Sequence, residues 1–297
     1  MTGSTAPRSG PAPGPSAGQP LRVHALTTGH VRVRQAQVHG VGTGGARRLN
    51  VLRDKNWTGP LPIHAWAIEH PEGVIVVDTG EVAAGSDPRH YPALNPYLRR
   101  ATRFDITRED EIDAQLRRAA LSVDQVRWVV LTHLHTDHAG GLCYFRDAEI
   151  VMSREEWESA RGMRGRGRGY LPQFFPSWLR PRTVELRGNP VGPFPASYPL
   201  TGAGDVLLVP TRGHTFGHLS VIVQQPGSPR LVLAGDASYR QDLMLDGVID
   251  GVAADERAAK ETLGRLQRYV REQPTVYLPA HDPESNERFS AKRVVPA

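Results

Sequence analysis

The sequence predicts an α/β (α+β) domain built of layered sheets and helices. Seven short apolar runs are rich in β-branched residues and bounded by turn residues, and each is too short for a helix. Helical spacings lie between and after these runs. The chain has 297 residues, 39% of them hydrophobic, which is ample for a sizeable buried core.

Residues 1–20 are almost entirely Gly, Pro, Ser, Ala and Thr. Such a segment buries too little apolar surface to offset its ordering entropy, so it is expected to be a disordered tail without chemistry. Residues 21–297 are expected to form one globular domain. The expected strands are Ile63–Ile68, Val74–Val77, Val126–Leu131, Val206–Val209, Leu219–Val223, Leu231–Ala234 and Val276–Leu278. Thr107 and Asp110 read as an N-cap box before Ile112, Leu116 and Ala119 at helical spacing. Ser153 and Glu156 open a second helix, and Ala259, Leu263, Leu266 and Val270 mark a third. Arg161–Gly169 (RGMRGRGRG) suits neither helix nor strand and predicts a long loop, continuing through Tyr170, Phe174, Phe175 and Trp178.

Composition removes several classes of protein. No apolar run approaches ~18 residues, so no membrane-spanning helix is expected. A single cysteine, Cys143, excludes a disulfide framework and a cysteine-cluster metal site. The N-terminus lacks an apolar signal core, which predicts a cytoplasmic protein. The formal charge of +5 permits an anionic partner without demanding one.

The strand Val126–Leu131 runs directly into Thr132-His133-Leu134-His135-Thr136-Asp137-His138-Ala139-Gly140-Gly141. Imidazole and carboxylate together are the ligand set of zinc and similar ions. At an extended strand end, positions 133 and 135 point the same way. The following turn brings Asp137 and His138 to a second, adjacent point, and Gly140 and Gly141 are expected to permit a tight bend behind it. Three more candidates follow strand ends: His214, Asp236 and His281. Open sheets gather their sites at such ends. These seven residues suffice for two ions sharing one carboxylate. His218 is read as a supporting or core histidine, Cys143 as a small apolar filler, and His24, His30, His39, His64, His70 and His90 as ordinary. Phe174, Phe175 and Trp178 either line a pocket or cover the core. The arginines from Arg161 to Arg168 read as a solvated flap rather than an anion-binding loop.

The succession H-x-H-x-D-H, G-H, G-D and a late histidine resembles the metallo-β-lactamase superfamily. That resemblance implies an αββα sandwich from about Leu21 onward. Asp78-Thr79-Gly80 fits the superfamily's early aspartate turn, which orients a ligand histidine. Asp236-Ala237-Ser238-Tyr239, His281-Asp282, Ser153-Arg154-Glu155-Glu156-Trp157 and His70-Pro71-Glu72-Gly73 further resemble the quorum-quenching N-acyl-homoserine lactone lactonases. This implies two divalent cations, zinc foremost. His133, His135 and His214 would hold one, Asp137, His138 and His281 the other, and Asp236 would bridge them. It also implies catalytic roles for Tyr239, on the substrate carbonyl, and for Asp137, as proton carrier to the leaving oxygen. Pro279-Ala280 replaces the usual glycine before His281, and the arginine-rich loop is a second departure.

The expected activity is metal-dependent opening of a small-molecule acyl lactone by a hydroxide shared between the ions. Alternatives are a thioester, phosphotriester or β-lactam substrate, or a nuclease, for which the arginine run would suit phosphate. No nucleic-acid or membrane partner is expected; monomer and homodimer both stay open.

Overall fold

The computed structural model describes residues 21–93 and 95–296. The expected tail, 1–20, lies outside these described residues. Strands β1 (Arg22–Val33), β2 (Leu61–Glu69), β3 (Val74–Val77), β4 (Thr102–Asp105), β5 (Val126–Val130), β6 (Glu149–Ser153) and β7 (Arg182–Val184) form one sheet, in the order β4-β1-β2-β3-β5-β6-β7. Strands β8 (Tyr198–Pro199), β9 (Val206–Pro210), β10 (Leu219–Val223), β11 (Arg230–Gly235) and β12 (Thr275–Pro279) form a second, in the order β12-β11-β10-β9-β8. The helices are α1 (Gln35–His39), α2 (Gly44–Arg53), α3 (Pro96–Arg100), α4 (Ile112–Arg118), α5 (Thr136–Ala139), α6 (Arg154–Ala160), α7 (Gly162–Gly167), α8 (Gln241–Leu245), α9 (Glu256–Glu272) and α10 (Ser285–Ser290).

Alternation along each strand divides its side chains between layers. On β2, Trp66 and Ile68 face the second sheet, meeting Val221, Leu233 and Leu278 between the sheets. Ala65 and Ala67 face outward, into a cluster with Ile112 and Leu116 of α4. The outer face of the second sheet does the same: Val209, Ile222, Val232 and Tyr277 pack against Ala259, Leu263, Leu266 and Val270 of α9. Helices therefore cover both outer faces of two apposed sheets, the expected αββα sandwich.

All seven expected runs are strands. β1, β4, β6, β7 and β8 are not among the expected runs. β1 mixes His, Thr and Arg with apolar residues and carries a register irregularity between Thr27 and His30. β4 is a short outer strand that is buried and exposed in alternation. Ser153 caps α6 as expected, its Oγ accepting the Glu156 amide at 3.0 Å. Thr107 and Asp110 do not cap a helix. The Asp110 carboxylate accepts both the amide and the hydroxyl of Thr107, closing a separate turn, and α4 starts later, after Glu111. The expected loop 161–169 also needs correction, since Gly162–Gly167 is a short helix. Gly165 permits it: a Cβ there would fall 2.0 Å from the Ala160 carbonyl oxygen. No described helix is long and apolar enough to cross a membrane.

Candidate metal centre

Five strands of the two sheets deliver polar residues to one edge of the sandwich. β3 leads to Asp78, β5 to His133, β11 to Asp236 and β12 to His281. His214 follows β9 on the same edge. The strands place these residues because their apolar runs are buried on both faces, leaving only their ends for chemistry.

The ring nitrogens His133 Nε2 and His214 Nε2 each lie 3.0 Å from His135 Nδ1. A second group joins Asp137, His138 and His281, with His281 Nε2 3.5 Å from Asp137 Oδ2. Asp236 stands between the groups. Its Oδ2 is 3.3 Å from His214 Nε2, while its Oδ1 is 3.3 Å from both His138 Nε2 and His281 Nε2. The structure thus brings all seven expected residues together. It leaves out His218, whose Nε2 instead accepts the Asp236 amide at 3.0 Å.

The imidazoles are aimed from behind. His138 Nδ1 donates to Asp78 Oδ2 at 2.8 Å, and His214 Nδ1 donates to Asp250 Oδ2 at 3.0 Å. His281 Nδ1 donates to the Pro62 carbonyl at 2.9 Å. His133 Nδ1 donates to Thr132 Oγ1, whose own hydrogen goes to Asp78. Each contact selects the tautomer that leaves Nε2 as a bare lone pair facing the centre. Asp78 does this from a left-handed backbone conformation, φ 60°, which is uncommon outside glycine. The Asp78 turn was anticipated; Asp250 was not, and no local pattern marks it.

Charge and unmet valence both favour a cation here. His138 Nε2 and Asp236 Oδ1 are buried without a hydrogen-bond partner. Four carboxylates, Asp78, Asp137, Asp236 and Asp250, converge on histidines that are largely dehydrated. Burial pushes His133 and His135 well below the usual imidazole range, helped by neighbouring histidines. Burial also works against a charged His214, yet Asp250 and Asp236 prevail and lift it to about 9. In Asp236 burial opposes the charge, and His281, His138 and His214 overcome it, holding the carboxyl well below its usual range. The cluster demands positive charge, and this donor set suits a divalent ion.

Glycines close the site by absence of bulk. A Cβ on Gly140 would lie 2.6 Å from Glu81 Oε1, and one on Gly141 would lie 2.4 Å from the Thr79 carbonyl. Their role is close approach to the Asp78 turn, and neither adopts a positive φ. Cys143 is also corrected: it is exposed, so it fills no core space.

A cavity of about 380 Å³ opens onto the cluster. Val31, Val33, Leu98, Phe104 and Phe216 give it apolar walls, and Arg48, Arg166 and Arg168 also line it. Phe174, Phe175 and Trp178 do not line this cavity; Phe175 and Trp178 pack against the core. Tyr239 does line it, with its ring stacked on His281 at 5.4 Å.

A hydrolase with a metal-binding cluster at the strand ends of an αββα sandwich is the class that this fold and this donor set define. Residues 58–281 match the family model of the metallo-beta-lactamase superfamily, and the chain belongs to that superfamily. It is 28% identical over 274 residues to an N-acyl homoserine lactonase, AttM, of Agrobacterium fabrum, covering 91% of this chain and 96% of that one. It is 26% identical over 226 residues to the N-acyl homoserine lactonase AiiA of Bacillus thuringiensis subsp. kurstaki, covering 75% and 82%. Among solved structures, an N-acyl homoserine lactone hydrolase with N-hexanoyl-L-homoserine bound at its catalytic metal centre superposes with a TM-score of 0.73. That match is 23% identical and covers 93% of this chain and 97% of the other.

Proposed function

We propose that this chain hydrolyses the lactone ring of N-acyl-homoserine lactones with two divalent cations, zinc foremost. His133, His135 and His214 would hold one cation and Asp137, His138 and His281 the other, with Asp236 shared, in a catalytic domain spanning residues 21–297. The single observation that carries the dinuclear reading is Asp236, whose two oxygens face two separate histidine groups at 3.3 Å. Support for the substrate comes from relatives named as N-acyl homoserine lactonases that align over most of their length.

Bound cations would bring the pKa of water towards ~7 and polarise an ester carbonyl. The chain supplies the remaining parts. Tyr239, on the cavity wall beside His281, would donate its phenol hydrogen to the carbonyl oxygen as charge builds there. Of the two carboxylates that would hold cations, Asp137 is the more accessible, at 17% against 4% for Asp236. It would carry a proton to the leaving alkoxide, so that ring opening ends in a free carboxylate and a hydroxyl. The apolar cavity wall would exclude water around an acyl chain.

A second reading has one specific support. Arg48, Arg166 and Arg168 line the same cavity, which favours an anionic ester such as a phosphodiester. A substrate panel on metal-loaded protein tests both readings. It should contain lactones of several acyl lengths beside a thioester, a phosphotriester, a β-lactam and an RNA. Acid release from the lactones is the expected result. Turnover of another member with silent lactones would overturn the proposal.

A further inference from the structure

Tyr239 belongs to a largely buried chain of three side chains drawn from distant parts of the sequence. Gln37 Nε2 donates to Tyr239 Oη at 2.6 Å, across 202 residues, and Tyr97 Oη donates to Gln37 Oε1 at 2.5 Å. All three residues line the cavity that opens onto the metal cluster. Gln37 and Tyr239 are each only 3% exposed, so their mutual bond is shielded from bulk solvent, while Tyr97 is partly buried. Gln37 sits on α1, and its carbonyl accepts the Gly251 amide at 2.6 Å, directly beside Asp250. The segment that holds His214 from behind therefore also fixes the helix that carries Gln37.

A phenol oxygen carries one hydrogen and two lone pairs. Gln37 occupies the accepting side of Tyr239. The Tyr239 hydrogen has no other protein acceptor among the described residues, and the cavity is the space beside it. Accepting a hydrogen bond polarises an O–H and makes it a better donor, and the Tyr97 contact polarises the Gln37 amide in the same sense. We infer that Gln37 is a positioning residue, which by donating to Tyr239 and accepting from Tyr97 keeps the Tyr239 hydrogen free for the carbonyl oxygen of a substrate in the cavity. The inference rests on the role given to Tyr239 above. The reverse amide orientation would spend that hydrogen on Gln37 Oε1 and leave none for a substrate.

Two measurements decide it. The first is the side-chain amide signal of Gln37 in ¹⁵N-labelled protein. Tyr239→Phe removes the acceptor of its hydrogen, so the Gln37 amide proton should move upfield and exchange faster. Tyr97→Phe should move it far less. The opposite pattern would show the amide reversed and overturn the inference. The second is a double-variant cycle on lactone hydrolysis. Gln37→Glu keeps the size but replaces the donor with acceptors, drawing the Tyr239 hydrogen away from the cavity. It should lower kcat roughly 10-fold with KM little changed, about the loss expected for Tyr239→Phe where the cations share the oxyanion. In the Tyr239→Phe background, Gln37→Glu should cost almost nothing more. Equal losses in both backgrounds would assign Gln37 a merely structural role and overturn the inference. If the wild type opens no lactone, the functional reading fails, while the amide signal still decides the direction of the hydrogen bond.

Discussion

Asp250 and His214, separated by 36 residues, meet at 3.0 Å with the imidazole Nδ1 donating to the carboxylate. Asp250 is 7% exposed, and its other oxygen accepts the Val252 amide at 2.7 Å, so the acceptor cannot drift from the ring. Losing such a partner typically costs ~10–100-fold in metal affinity. Asp250→Ala should therefore weaken metal retention by about that factor against a competing chelator. Retention equal to wild type would show that His214 needs no such support.

The two oxygens of Asp236 predict an asymmetry among ligand variants. Metal analysis of gently purified, metal-replete protein should approach two ions per chain, as in two-metal hydrolases generally. Asp236→Ala should lower occupancy of both positions, whereas His281→Ala should chiefly empty one. A wild-type content that stays near one per chain would sink the dinuclear reading.

Tyr239→Phe keeps the ring stacked on His281 and removes only the phenol donor. One oxyanion donor typically contributes ~10²–10³ in rate where it is the main stabiliser. With cations sharing the charge, the expected loss is roughly 10-fold in kcat/KM on a homoserine lactone, at unchanged metal content. Unaltered kinetics would reduce Tyr239 to a packing residue.

Gly235 joins β11 to Asp236 at φ 55°, and a Cβ there would lie 2.7 Å from Thr132 Oγ1 and 2.8 Å from His218 Nε2. Gly235→Ala adds left-handed strain of ~1–2 kcal/mol to this collision. It should lower the thermal midpoint and also disturb metal uptake, because the displaced partners hold Asp78 and Asp236. A variant that melts and binds metal like wild type would contradict the close packing behind the cluster.

Asp113 gives a pH-dependent prediction. Burial works to raise its pKa, but hydrogen bonds from Arg108 at 2.6 Å and Arg117 at 2.8 Å outweigh it and hold the carboxyl below its usual range. Its folded value lies below its unfolded one, so its stabilisation is present above the unfolded pKa of ~3.9 and is lost as pH falls through the folded pKa. Both arginines are more than half exposed, which limits each pair to ~0.2–1 kcal/mol. Denaturant melts of Asp113→Asn should show a deficit at pH 7 that shrinks on acidification. A deficit independent of pH would mean that charge is not its source.

The sequence by itself determined the strands that carry the site and the identities of the residues at their ends. Apolar runs buried on both faces are a local signal, and a cluster such as His133-x-His135-x-Asp137-His138 lies within one strand end and its turn. Both depend on neighbours along the chain, which a linear reading sees. Apart from Asp78, the tertiary structure alone decided which groups orient the side chains of the site. Asp250 reaches His214, Pro62 reaches His281 across 219 residues, and Gln37 reaches Tyr239 across 202. An aspartate, a proline carbonyl and a glutamine have no distinctive local pattern. Their roles arise only when sheet pairing and the apposition of two sheets bring remote segments together, because a hydrogen bond acts over about 3 Å whatever the separation in sequence.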